Sequence, residues 1–233
     1  MTAPPGLLIL DCDGVLVDSE MIARRIEAEL LAEAGFPLSA EEFGARFTGR
    51  SVGTVRREIE AQFGRPLPPG HERLRSERLH AAFAAELRPM PGVEALLDGL
   101  RIDFCVASGS PDDRLAHSLA VVGLAGRFGG RAFSVSAVGR GKPAPDLFLL
   151  AASAFGVDPE RCLVVEDTAT GIQAAVAAGM EPIGFVGGSH CGPDHAAILR
   201  GAGARAVLPD HRSLARHLAA LGAWCGQREA ALP

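Results

Sequence analysis

The sequence predicts an α/β protein with a parallel-stranded core and a block of helices inserted after the first strand. Three observations carry that prediction. Short apolar runs recur along the chain, each bounded by charge or turn residues. Amphipathic helical patterns lie between them, and residues 19 to about 88 hold helical patterns alone.

The first run, residues 7–11 (LLILD), is apolar on both alternating faces and ends in an acid, as a buried parallel strand does. In the insert, Ile22, Ile26 and Leu30 form one helical stripe that ends near Gly35. Ser39 with Glu42 makes a capping box that opens a second helix. Val52, Val55, Ile59 and Phe63 line a third helix, stopped by Gly64, and Leu79, Phe83 and Leu87 line a fourth after the turn RPLPPG. The sequence thus assigns residues 19–87 to a helical domain and residues 1–18 with 88–233 to the α/β core. Prolines in LRPMPG, at residues 87–92, suit a joint between the two.

Beyond the joint, Val93, Leu96, Leu97 and Leu100 fall at helical spacing. A strand follows over 103–107 (DFCVA). Leu147, Phe148, Ala151 and Phe155 give a further helix with Gly156 as its stop. Strands are expected over 162–166 (CLVVE), 182–186 (PIGFV) and, from a weaker run, 206–208 (AVL). Strands alternating with helices imply a parallel sheet with right-handed crossovers.

Composition narrows the function. At 233 residues, 48% hydrophobic and net charge −5, the chain can bury a good core but has no long basic run for nucleic acid or an anionic membrane. No apolar stretch is long enough to span a bilayer, and MTAPPGLLILDCDG lacks the basic region of a secretory signal. Five cysteines, an odd number with no Cys-x-x-Cys pair, indicate a reduced, cytoplasmic chain. Cys105 and Cys162 sit inside apolar runs and read as buried thiols.

Ligands of open α/β sheets collect at the carboxyl ends of the strands, and four polar clusters fall at such ends. In ILDCDGVLVDSE, Asp11 is placed to attack phosphorus and hold the phosphoryl group. Asp13, two residues on, is placed to protonate the leaving oxygen and then deprotonate water. Gly14 permits the tight turn beside them. In FCVASGSPDDRL, the hydroxyls and amides of Ser108, Gly109 and Ser110 suit a phosphate, with Ser110 also expected as the N-cap of the next helix and Pro111 at its first position. In VGRGKPAPDLFL, Lys142 sits between Gly141 and Pro143, placed to neutralise phosphate oxygens or keep the nucleophile ionised. In CLVVEDTATG, Glu166 and Asp167 end a strand with no basic neighbour in sequence, and Asp167 or Thr168 is also a natural helix cap. Four carboxylates where a phosphate dianion enters call for a divalent cation, and magnesium is the first choice.

The set DCDGVLVDSE, VASGS, GKPAPDLFLLAASAFGV and VVEDTATGIQAAVAAGM resembles the haloacid dehalogenase superfamily, in order and over nearly the whole chain. It is similar to the branch with a helical cap after the first strand, which holds β-phosphoglucomutase and many sugar-phosphate phosphatases. The resemblance implies a Rossmann-like parallel-sheet core with an inserted α-helical cap. It implies Asp11 as nucleophile and magnesium ligand, and Asp13 as general acid/base with its carbonyl on the metal. Ser108 and Lys142 would hold the phosphoryl group, and Glu166 and Asp167 would complete the Mg2+ site. A cap loop at Arg50 and Ser51 would contact substrate.

The resemblance also frames the choice of acceptor. The mutases carry a histidine twelve residues after the nucleophile, where this chain has Ala23. They carry an arginine after the cap Gly-x-Ser, where this chain has Val52. Both departures favour a phosphatase acting on a small sugar phosphate or sugar-acid phosphate over a phosphosugar mutase. A non-catalytic phosphate-binding module is a further alternative. His190, Cys191 and His195 in GGSHCGPDH match no common zinc spacing and read as a loop bordering the site. No interface signature marks an oligomeric state.

Overall fold

A computed structural model describes residues 5–47, 50 and 52–225. Six parallel strands form one sheet among these residues: β1 (Leu7–Leu10), β2 (Asp103–Ser108), β3 (Ala132–Ser134), β4 (Cys162–Glu166), β5 (Glu181–Phe185) and β6 (Ala206–Leu208). Their order is β3-β2-β1-β4-β5-β6. The edge strand β3 has no counterpart among the sequence-predicted strands. It is three residues long and only partly buried, too short to write a periodicity.

The period of two decides which face each residue serves. Leu7 and Ile9 of β1 join one cluster, and Leu8 and Leu10 join the other. On the first face lie α8 (Asp146–Phe155) and α9 (Ala169–Ala177), supplying Leu147, Phe148 and Ala174. On the second lie α5 (Val93–Asp98), α6 (Asp112–Val121), the short α7 (Ala125–Phe128) and α11 (His211–Ala220), with Leu96, Leu115, Phe128 and Leu214 buried. Helix α10 (His195–Ala202) packs near α9 and β5. Gly156 ends α8 in the left-handed conformation at φ 63°, the stop that the sequence marks.

Between β1 and α5 run four helices: α1 (Glu20–Glu33), α2 (Ala40–Phe47), α3 (Val52–Phe63) and α4 (His71–Glu86). The capping box forms as expected, with Ser39 N–H donating to Glu42 at 2.8 Å and Glu42 N–H donating to Ser39 Oγ at 3.1 Å. Phe36, Phe47 and Ile59 build a small core of their own. Ile26, Leu30, Leu79 and Phe83 instead join the main core over the sheet. The chain leaves and returns side by side: Asp18 N–H donates to the Arg88 carbonyl at 3.1 Å, and Met90 N–H to the Leu16 carbonyl at 2.9 Å. No helix among the described residues is long and apolar enough to cross a membrane.

Candidate active site

In this strand order the sheet reverses direction of growth at β1 and β4, where crossovers part and leave a crevice at the carboxyl ends. The parallel register sets Leu10 level with Val106 on one side and Val165 on the other. The next residues are therefore neighbours across three strands: Asp11 after β1, Ala107 and Ser108 ending β2, Glu166 ending β4.

Lys142 ties this row together. Its ammonium donates to Asp11 Oδ1 at 2.6 Å, to the Ala107 carbonyl at 3.0 Å and to Glu166 Oε1 at 2.5 Å. All three protons are thus used, and the side chain is 9% exposed. Burial alone would favour the neutral amine, but Asp11 and Glu166 outweigh it and hold Lys142 charged well above the usual lysine range. Glu166, expected to lack a basic partner, has one here. The partner comes from a segment 24 residues away in sequence, so adjacency along the chain could not reveal it.

Glu166 also accepts from Thr168 N–H at 3.1 Å and Thr168 Oγ at 2.9 Å. Thr168 in turn caps α9, accepting from Gly171 N–H at 3.1 Å. Asp167 is left without a capping role. Both its carboxylate oxygens are buried with no hydrogen-bond partner, although His190 Nε2 stands 3.0 Å from Oδ2. Burial first, then Glu166 and Glu20, push the Asp167 carboxyl well above its ordinary range. Asp11 is raised too: burial is the largest cause, Lys142 opposes it, and Glu166, Asp167 and Asp13 add repulsion.

Two glycines make room for these acids. A Cβ on Gly14, at φ +81°, would lie 1.9 Å from Asp167 Oδ2. A Cβ on Gly171 would lie 1.9 Å from the Glu166 carboxyl carbon. Neither position admits another residue without displacing a carboxylate.

Asp13 sits in a different environment. Ser19 Oγ donates to Oδ1 at 2.6 Å and Ser110 Oγ to Oδ2 at 2.5 Å, while the Arg114 guanidinium lies 3.6 Å away and also bonds Ser110. Burial raises the Asp13 carboxyl, but Arg114 and the two hydroxyls overcome it and hold it below the usual range. Ser110 therefore does not cap α6 as expected. Its hydroxyl is spent on Asp13, Pro111 takes the cap position, and the helix starts at Asp112. Ser108 is fully buried, and its Oγ accepts from Ser110 N–H at 3.0 Å. Gly109 between them is exposed with open space around its Cα.

Beside Asp13 lies a cavity of about 360 Å³, the size of a small-metabolite site. Asp13, Gly109 and Arg114 line it from the sheet side, Ala23 and Val55 from α1 and α3, and Arg50 from the segment between α2 and α3. Arg50 pairs with Glu58 rather than with any strand-end residue. Ser51 lies outside the described residues.

Ser19 and Arg114 escaped the sequence reading. Arg114 had a faint signal: a cation in the first turn of a helix opposes the helix dipole, so a nearby carboxylate is the natural reason for it. Ser19 had none, because a serine before a helix reads as a cap.

The donor set suits a hard cation. Ligand atoms of Asp11, Glu166 and Asp167 lie within 4.8 Å of one another. Four carboxylates (with Asp13) face two permanently cationic side chains, Lys142 and Arg114, and the orphaned oxygens of Asp167 want a positive partner. An oxygen-rich cluster of this kind fits Mg2+.

Strand order, the acidic row and its lysine define a hydrolase built on an α/β sheet, and residues 6–179 match the haloacid dehalogenase-like hydrolases. The chain belongs to that family. It is 32% identical over 187 residues to the 6-phosphogluconate phosphatase of Escherichia coli (strain K12), spanning 80% of this chain and 85% of that protein. Fructose-1-phosphate phosphatase YqaB of the same organism is 31% identical over 177 residues, 76% of this chain and 94% of that one. Among solved structures, a haloacid dehalogenase-like protein of unknown function from Agrobacterium tumefaciens str. C58 superposes with TM-score 0.82 at 40% identity, over 93% of this chain and 98% of that chain. A HAD family hydrolase from Deinococcus radiodurans R1, solved with bound phosphate and sodium, gives 0.79 at 36%, over 97% and 100%. The expected phosphomonoesterase class is the one for which the two curated relatives are named.

Proposed function

We propose that the protein is a magnesium-dependent phosphatase that hydrolyses a small sugar phosphate or sugar-acid phosphate through an aspartyl-phosphate on Asp11. The observation that carries this reading is the buried row of Asp11, Lys142 and Glu166, with Asp167 whose carboxylate lacks a hydrogen-bond partner, next to Asp13, which lines a small-metabolite cavity. Residues 19–87 serve as a cap over that cavity, and Arg50 belongs to the wall that meets substrate.

Asp11, Glu166, Asp167 and the Asp13 carbonyl would hold Mg2+, which supplies positive charge against the phosphate oxygens. Asp11 attacks phosphorus: its oxygen–phosphorus bond forms as the ester oxygen–phosphorus bond breaks. Lys142 pulls Asp11 toward the anion that this attack needs, against burial and the neighbouring acids. Ser108 and the open backbone at Gly109 are placed to receive the phosphoryl oxygens. Asp13 gives a proton to the leaving alkoxide, then takes one from the water that releases inorganic phosphate. Arg114, Ser110 and Ser19 favour its ionised form, which suits the second step. In the first step a bound phosphate competes for Arg114 and eases that hold.

Ala23 supports water as the acceptor. Where the mutases carry a histidine the cavity has its methyl, which cannot grip a second phosphate, although Arg50, Arg56 and Arg75 line the same cavity. The test is a panel of phosphorylated sugars, sugar acids, polyols and nucleotides, each with Mg2+ or with excess EDTA. Phosphate release from sugar or sugar-acid phosphates with Mg2+, lost in EDTA, is expected. Full activity in EDTA refutes the metal assignment, and no release from any substrate supports a binding module instead. Rapid isomerisation of β-glucose 1-phosphate without phosphate release would make it a mutase.

A further inference from the structure

The loop after β5 carries a second donor set that hydrolysis does not use. We propose that His190, Cys191 and His195 form a binding site for a borderline-soft divalent cation, Zn2+ foremost, with Asp167 as its fourth ligand.

The three residues offer ligand atoms within 4.8 Å of one another. Two imidazoles and a thiolate suit zinc, whereas the neighbouring carboxylates suit magnesium. Two of the distances match tetrahedral edges. Zinc bonds of about 2.0 Å to nitrogen and oxygen and about 2.3 Å to sulfur give edges of about 3.5 Å for N···S and about 3.3 Å for N···O. His190 Nε2 lies 3.4 Å from Cys191 Sγ and 3.0 Å from Asp167 Oδ2. Two edges that meet at His190 Nε2 are thus near their bonded lengths before any ion arrives.

His195 is oriented as well. Its Nε2 lies 2.6 Å from the Asp167 carbonyl, which can only accept, so Nε2 carries the proton. The lone pair is then on Nδ1, the arrangement in which a histidine binds metal while its other nitrogen is anchored.

The loop is also rigid. Ser189 donates to Asp18 Oδ1 through both N–H (3.1 Å) and Oγ (2.8 Å), Cys191 N–H donates to the Gly188 carbonyl at 3.0 Å, and His195 N–H to the Gly192 carbonyl at 3.1 Å. The His190 side chain is fully buried, wedged where a Cβ on Gly14 or Gly188 would come within 3 Å of it. Ligand binding needs little further ordering, and the Cys191 thiol proton leaves to solvent as the thiolate binds. Because Asp167 also belongs to the acidic cluster, an ion here draws its carboxylate out of the catalytic row. The bound ion inhibits.

Co2+ titrated into the Mg2+-saturated protein tests the site, since a cobalt–thiolate bond gives a near-ultraviolet charge-transfer band. One equivalent of band is expected, displaced by Zn2+, lost in Cys191→Ser and weakened in His195→Gln. Cys225→Ser, which changes the exposed cysteine, should keep it. Absence of the band in the wild-type protein, or an undiminished band in Cys191→Ser, overturns the site. Zn2+ should suppress Mg2+-supported phosphate release in wild type and spare Cys191→Ser. Equal inhibition of both, or of neither, overturns the sharing of Asp167. This last arm rests on the proposed phosphatase reading, whereas the cobalt band does not.

Discussion

Replacing Lys142 by Met separates the charge of this side chain from its bulk. The Met side chain still fills the space beside the Phe148 ring, over which the ammonium lies at 5.0 Å. Three hydrogen bonds disappear, at 2.6, 2.5 and 3.0 Å, and two buried carboxylates lose their shared counter-charge. Breaking a buried ion pair by removing one partner costs about 3–5 kcal/mol. For a chain of this size each kcal/mol moves the melting temperature by about 2–4 °C, so a fall of about 6–20 °C follows. Circular-dichroism melts in EDTA near pH 8 measure it, where both carboxylates in the unfolded chain are ionised. The deficit shrinks as pH falls into the carboxylate range, because protonated acids need no counter-charge. Magnesium restores part of it by mass action, about 2.7 kcal/mol at a hundred times its dissociation constant. A variant that melts within about 2 °C of wild type in EDTA would refute the view that Lys142 makes this row of acids tolerable. Undiminished phosphatase activity would refute its hold on the nucleophile.

Asp13→Asn keeps the nucleophile and removes proton transfer, so turnover should fall about 10²–10⁴-fold while aspartyl-phosphate accumulates on Asp11 with a p-nitrophenyl substrate; acid-quenched mass spectrometry of Asp13→Asn beside Asp11→Asn, which should carry no label, reads this directly. His211 is 1% exposed, with its Nδ1 3.2 Å from the Pro91 carbonyl, and burial lowers its pKa from 6.5 to about 4. The unfolded chain therefore takes a proton below pH 6.5 that the folded chain refuses until about pH 4, so stability falls as pH drops through that window, by roughly 3 kcal/mol for this one group. Urea midpoints between pH 7 and pH 4.5 should fall more steeply for wild type than for His211→Leu, and parallel slopes would contradict the assignment.

How much of this was legible in the sequence depended on the range of each interaction. The sheet could be read because every buried strand except β3 writes a run of apolar residues, and the ends of β1, β2 and β4 carry polar clusters, Lys142 coming instead from the loop before α8. Capping boxes and glycine stops are local chemistry, and Ser39, Glu42 and Gly156 behave as their neighbours dictate. Ser110 does not, because its hydroxyl has a better acceptor in Asp13, 97 residues away in sequence. The same holds for Glu166 with Lys142, 24 residues away in sequence. Local propensity ranks the partners that a side chain meets along the chain. Folding supplies the charged ones, and a charged partner in a buried site outweighs an exposed backbone cap.

One short segment, residues 11–19, joins the proposed site to helices α1–α4. It begins with Asp11, the proposed nucleophile, passes Asp13, the proposed acid, and reaches Asp18, where backbone bonds meet the returning chain at Arg88. Ser19, the first residue past the joint, turns back to donate to Asp13. Asp18 reaches the other way and accepts from Ser189, beside the histidine that rests on Asp167. Any rotation of the four helices about residues 17–19 and 88–90 therefore acts on both carboxylates through one serine on each side. A joint built of flexible linker would insulate the site from the cap. This one, held by backbone bonds to the returning chain and by Ser19 on Asp13, ties the position of α1 to the placement of that carboxylate.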